Sequence, residues 1–99
     1  MTTIKFQRTG GIVGNEISLE LDLNSLPADE AQHLIRLITE ADFFKLPEDL
    51  AGQVTTDEFQ YTINVKAGQS NHTVRVTDTT MPEHLLPLVK ELTILRVLQ

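Results

Sequence analysis

Hydrophobic and polar residues alternate along two stretches near the start of the chain, at residues 4–8 and 17–23. A period of two is typical of a strand with one buried face. The segment between them reads Gly10-Gly11-Ile12-Val13-Gly14, and its three glycines tolerate the positive φ angles of a turn. The pattern therefore predicts a β-hairpin with a wide, exposed tip.

The spacing of apolar residues changes to a helical period after this hairpin. Asn24 or Ser25 is the predicted N-cap, and Pro27 suits a first helical turn. Asp29 and Glu30 follow it, where the positive end of the helix dipole stabilises acidic side chains. One face then carries Ala31, Leu34, Ile35, Leu37, Ile38 and Ala41. We expect an amphipathic helix that packs on a sheet and ends before Pro47, followed by a loop over residues 48–56.

The second half of the chain repeats this order. Residues 59–65 alternate, a turn surrounds Gly68, and Val74 and Val76 continue the alternation. Thr79 or Thr80 is the predicted cap of a second helix, with Pro82 and Glu83 in its first turn. Because proline removes an N–H and crowds the preceding turn, this helix either kinks at Leu86 or begins at Pro87.

Equivalent residues of the two halves lie about 55 positions apart, as Ile4 and Phe59 or Pro27 and Pro82 show. This offset suggests a ββα unit that occurs twice. Neither unit buries its sheet face alone, so we expect one α+β domain over residues 1–99. The predicted architecture is a two-layer sandwich, with four antiparallel strands in one sheet and both helices on one of its faces.

Composition narrows the functional classes. The chain has 99 residues, of which 40% are hydrophobic and 22% charged, which is enough for one domain with its own core. It has no cysteine and a net charge of −6 without a cluster of Lys or Arg, which argues against disulfides, thiol chemistry and nucleic-acid binding. No apolar run approaches the roughly 20 residues that span a bilayer. We expect a cytoplasmic protein without membrane contact.

The sequence shows no catalytic or cofactor-binding motif. His33, His72 and His84 have no second histidine at a helical i, i+4 spacing, so we expect no metal site. The glycines of residues 10–14 precede a strand, whereas a phosphate-binding loop precedes a helix. A filled core in so short a chain leaves little volume for a substrate cleft, so we expect neither a cofactor nor an enzymatic activity.

Two groups of apolar residues exceed what a core requires. Ile12 and Val13 lie between glycines at the hairpin tip, where they either anchor a partner's pocket or fold back over the sheet edge. Near the C-terminus, Ile94, Val97 and Leu98 extend the apolar surface beyond one helical stripe. They either cap the core or form a homodimer seam.

Three segments and one strand carry a resemblance to a known family. They are Ile4-Lys5-Phe6-Gln7-Arg8-Thr9-Gly10-Gly11-Ile12-Val13-Gly14, Ala41-Asp42-Phe43-Phe44-Lys45-Leu46-Pro47, Asp57-Glu58-Phe59-Gln60-Tyr61 and the strand around Val74. In this order they resemble the emfourin family, whose members are small inhibitors of protealysin, a thermolysin-like zinc metalloprotease. The likeness extends over nearly the whole chain.

The resemblance implies that a thermolysin-like metalloprotease is the partner. Such enzymes accept a bulky apolar side chain just after the scissile bond, so Ile12 or Val13 is expected to enter that pocket. Gly10, Gly11 and Gly14 shape the loop, and Glu16 either approaches the catalytic zinc or a cationic residue, or stays solvated. The alternative from the residues alone is a non-enzymatic interaction or assembly domain. In that case the open face of the sheet or the surface of residues 94–98 binds either a second copy or an unrelated partner.

Overall fold

The computed structural model describes residues 2–11, 16–52 and 57–98. They form four strands and two α-helices in the order β1 (Thr2–Gly10), β2 (Ile17–Asp22), α1 (Ala28–Glu40), β3 (Phe59–Ala67), β4 (Ser70–Thr77) and α2 (Leu86–Leu98). Short 3₁₀ turns at Leu23–Ser25 and Phe43–Lys45 flank α1. The predicted order of two ββα units is confirmed.

The four strands form one antiparallel sheet in the order β2-β1-β3-β4. The two strands of each hairpin are adjacent, and the pairing of β1 with β3 joins the two hairpins. This central pairing extends from Thr2 opposite Ala67 to Gly10 opposite Phe59. The end of β1 and the beginning of β3 therefore lie side by side, next to the glycine-rich segment.

Both helices pack on one face of the sheet, as predicted. The inner face carries the apolar residues of the alternating strands, and the outer face carries their polar neighbours such as Lys5, Thr62 and Asn64. The buried core is built from strand and helix residues that include Ile4, Phe6, Leu19, Leu21, Ile63, Val65, Val74, Val76, Leu34, Leu37, Ile38, Leu88, Val89 and Leu92. Burial of this apolar surface holds the two layers together.

The beginning of each helix differs from the sequence-based expectation. Asn24 and Ser25 belong to a 3₁₀ turn that the Asp22 carboxylate caps by accepting the Asn24 N–H at 3.0 Å. The predicted cap at these residues is therefore wrong, and Pro27 precedes α1 without a side-chain cap. In the second unit α2 begins at Leu86, so the predicted cap at Thr79 or Thr80 is wrong as well. Pro87 lies in the first turn of α2, where proline is tolerated.

The loop after α1 covers part of one sheet edge. The Arg75 N–H of β4 donates to Glu48 O, and the Leu50 N–H donates to Arg75 O, both at 2.8 Å. Unpaired edge strands invite pairing with other chains, and these bonds satisfy the backbone groups of Arg75 on the β4 edge. Among the described residues, neither helix is long and apolar enough to cross a membrane.

Candidate functional site

The glycine-rich hairpin leaves the sheet at the end of β1. Gly10 and Gly11 have φ angles of 85° and 79°, a region that side chains disfavour, which confirms the conformational role predicted for these two glycines. The predicted anchors Ile12 and Val13, together with Gly14, lie outside the described residues, and their role stays a prediction.

The base of this hairpin contacts the start of β3 closely. The Gly11 N–H donates to Glu58 O at 2.9 Å. A Cβ atom at Gly10 would lie 2.7 Å from that same carbonyl oxygen, and one at Gly11 would lie 2.6 Å from the Phe59 ring. Both distances are too short for a side chain, so glycine is required at both positions by packing as well as by φ.

Glu16 stands on the opposite side of the hairpin base, immediately before β2. It is exposed, and its Oε1 accepts a hydrogen bond from Gln7 Nε2 at 2.6 Å. The carboxylate is thus held against β1 on the outer face of the sheet. The structure joins Glu16 to the hairpin, and a contact with a protease stays a prediction.

Four residues on the inner face meet beside the two glycines. The Arg8 guanidinium carbon lies 4.2 Å from the centroid of the Phe59 ring, a cation–π contact. The Tyr61 hydroxyl donates to Asp78 Oδ1 at 2.8 Å, and the Phe59 N–H donates to Asp78 Oδ2 at 3.0 Å. We call Arg8, Phe59, Tyr61 and Asp78 the hairpin-base cluster.

Burial and the neighbouring carboxylate control the protonation of Tyr61. The pKa of its phenol is raised to about 12, chiefly by burial and then by the hydrogen bond to Asp78 and the negative charge of that residue, while the positive charge of Arg8 lowers it. Tyr61 therefore stays a protonated donor at neutral pH. The bond to Asp78 is formed throughout the physiological range.

Sequence reasoning placed Arg8, Phe59 and Tyr61 in strands, gave Asp78 no role, and missed the association of the four. One signal was present, because Arg8 follows Ile4 and Phe6 in the inward phase of β1, where a charged side chain is unusual. Its aromatic partner depends on the pairing of β1 with β3, which alternation alone does not specify. Asp78 comes from the turn after β4, still farther along the chain.

The turn after β4 also contacts Glu58, the residue before β3. The Thr79 N–H donates to Glu58 Oε1 at 3.0 Å, while the Glu58 carbonyl accepts the Gly11 N–H. Glu58 thus links the hairpin base to the turn at Asp78 and Thr79. Three segments that are distant in sequence meet at one end of the sheet.

The C-terminal apolar residues lie on a different part of the surface. Ile94, Val97 and Leu98 are 51%, 73% and 77% exposed, and their i, i+3, i+4 spacing places them on one side of α2. The interpretation that these three cap the core is wrong, since Leu95 packs against it in their place. Their predicted role in self-association is left as a prediction.

Within the described ranges, no group of three or more His, Asp or Glu side chains is arranged to hold a metal ion. His33 Nε2 lies 3.5 Å from Glu91 Oε2, in a contact between the two helices. His72 Nε2 lies 2.6 Å from Leu46 O. Both of these histidines therefore have structural partners.

Comparison with known proteins identifies a family. The model of the emfourin family matches residues 6–93, which is most of the chain. No curated protein and no solved structure matches this chain. The matched residues include the hairpin-base cluster, Gly10, Gly11 and Glu16.

Proposed function

Because this chain belongs to the emfourin family, which implies a metalloprotease-inhibitor role, we propose that it inhibits a thermolysin-like zinc metalloprotease of the protealysin type. In this proposal the β1–β2 hairpin blocks the active-site cleft without a covalent bond. The chain acts as a binding partner and not as an enzyme. Its predicted compartment is the cytoplasm, in keeping with a sequence that contains no cysteine.

The observation that carries this proposal is the fixed base of the hairpin. Gly10 and Gly11 lie against Glu58 and Phe59 with no space for a side chain. A loop that leaves a rigid base loses less conformational entropy on docking, and more of the contact energy then appears as affinity. Inhibitor complexes of standard size bury about 1,600 Å² in total.

The proposed contacts divide between an apolar anchor and a carboxylate. Ile12 or Val13 fills the protease pocket that receives the bulky apolar residue after the scissile bond, and Gly14 completes the loop. Glu16, held by Gln7 in the free protein, exchanges that partner for the catalytic zinc or a cationic residue at the cleft. This exchange pairs the carboxylate with a positive charge in place of a neutral amide donor.

The anchor is tested by changing Ile12 and Val13 together to Asp. A carboxylate in an apolar pocket is unfavourable, so inhibition of a thermolysin-like protease should fall by at least about 30-fold, the effect of one binding hot spot. The melting temperature should change little, because the sequence predicts an exposed loop tip for both positions. The matched control is Val97→Asp with Leu98→Asp, which adds the same charge to exposed positions of α2. Undiminished inhibition by the Ile12 and Val13 variant would contradict the proposed anchor.

A second candidate function is favoured by the exposed end of α2. Ile94, Val97 and Leu98 present apolar side chains to solvent on one side of the helix, and contiguous apolar surface of this kind is typical of an interface. In this candidate the domain assembles with a second copy through α2. The hairpin takes no part in that contact, so the two functions are separable by mutation.

A further inference from the structure

We propose that the hairpin-base cluster positions the inhibitory loop, with Phe59 as the support and Arg8 as the residue that holds the Phe59 ring. This inference rests on the proposed function, because it assigns the cluster a part in protease binding. It concerns residues that are not expected to touch the protease cleft themselves. They act through the direction in which the hairpin leaves the sheet.

The first step is the contact between Gly11 and the aromatic ring. A Cβ atom at Gly11 would lie 2.6, 3.0 and 3.2 Å from Cε1, Cδ1 and Cζ of Phe59. The backbone of Gly11 therefore runs along one edge of this ring. A shift or rotation of the ring moves the surface on which the hairpin lies.

The second step is that the ring itself is fixed. The Arg8 guanidinium covers its face at 4.2 Å from the centroid. The Tyr61 ring packs beside it, with centroids 6.3 Å apart and planes inclined by 59°. The preferred geometries of aromatic and cation–π pairs restrict the orientation of the Phe59 side chain.

The third step is that the backbone of Phe59 is fixed as well. Its N–H donates to Asp78 Oδ2 at 3.0 Å, and its carbonyl accepts the Asp78 N–H at 3.3 Å. Asp78 is held in turn by the Tyr61 hydroxyl at 2.8 Å. The ring of Phe59 is thus held by side chains of β1 and β3, and its main chain is held by the turn after β4.

The composition of the cluster favours a positioning role over a contribution to the core. Arg8 occupies an inward position where an apolar side chain would add to the core, as Ile4 and Phe6 do. It is half-buried, and its Nε is buried without a hydrogen-bond partner among the described residues. A buried donor without a partner is unfavourable for stability. The stack on Phe59 is the interaction that this arginine provides at the site.

The test compares Arg8→Met, which keeps a long stem but loses the planar cation, with Arg36→Met at an exposed position of α1. A second pair compares Phe59→Leu, which removes the ring, with Phe59→Tyr, which keeps it. Three quantities are measured for each variant: the dissociation rate from thermolysin, the melting temperature, and the hydrogen exchange of the Gly11 amide.

We expect Arg8→Met and Phe59→Leu to dissociate about 10-fold faster and to exchange the Gly11 amide about 10-fold faster, while Arg36→Met and Phe59→Tyr stay near wild type. Melting temperatures should stay within a few degrees of wild type. Unchanged Gly11 exchange in both test variants, or faster dissociation only in variants with a lower melting temperature, would overturn the inference. Hydrogen exchange of the Gly11 amide is measured without protease, so it tests the positioning role even if the wild type does not inhibit. Failure of the wild type to inhibit would contradict the proposed function alone.

Discussion

At the scale of single residues, the bond between Tyr61 and Asp78 is the contact in the hairpin-base cluster whose strength depends on pH. The phenol is buried and donates to a carboxylate, and its pKa of about 12 lies above the ordinary value of 10. Folding therefore favours the protonated phenol. The stabilisation is fully present below pH 10 and is lost as the pH rises towards 12.

Tyr61→Phe should remove this alkaline sensitivity. The free energy of unfolding of the wild type should fall between pH 10 and 12, and that of the variant should fall less over the same interval. Urea unfolding at a series of pH values measures both. Tyr61 is the one tyrosine in the sequence, so the ultraviolet absorbance of phenolate in the folded wild type reports its titration directly. A folded-state midpoint near pH 10 would contradict the assigned environment.

Sequence reasoning was successful for residues whose conformation is a local property. The positive φ angles of Gly10 and Gly11 follow from residue type and from their place between two alternating segments. The partners of Arg8 could not be predicted in the same way. They come from β3 and from the turn after β4, and their approach depends on strand order.

At the scale of elements, periodicity located all four strands and both helices but misplaced the helix beginnings. Asn24 and Ser25 are good cap residues by type, yet the chain forms a 3₁₀ turn there before α1 begins. Pro82 was expected in a first helical turn, and α2 begins at Leu86. Cap preferences are weak relative to the packing that orients a helix on its sheet.

The end of α2 gives a prediction about assembly. Val97 is 73% exposed, and in a two-fold interface the same residue occurs on both subunits, so Val97→Asp would place two carboxylates near each other. If the seam exists, the wild type sediments as a dimer and this variant as a monomer. Leu86→Asp, at the other end of the same helix, should leave the mass unchanged. An identical sedimentation mass for wild type and Val97→Asp would rule out the seam.

At the scale of the whole molecule, strand order determines what the sheet presents at each end. Alternation predicts two hairpins, but it contains no information on which of their strands meet. The observed order, β2-β1-β3-β4, brings the start of β3 beside the end of β1. Gly10, Gly11, Glu58 and the turn at Asp78 consequently meet at one end of the sheet, where they form the base of the hairpin that is proposed to contact the protease.

The most direct test of the proposed inhibition is a titration of active enzyme. A thermolysin-like protease is mixed with increasing amounts of the purified protein, and cleavage of a short peptide substrate is followed through equimolar ratio. Tight blocking of the cleft predicts that activity falls linearly and breaks at one inhibitor per enzyme. Full activity at every ratio, against both thermolysin and a protealysin-type enzyme, would contradict the account.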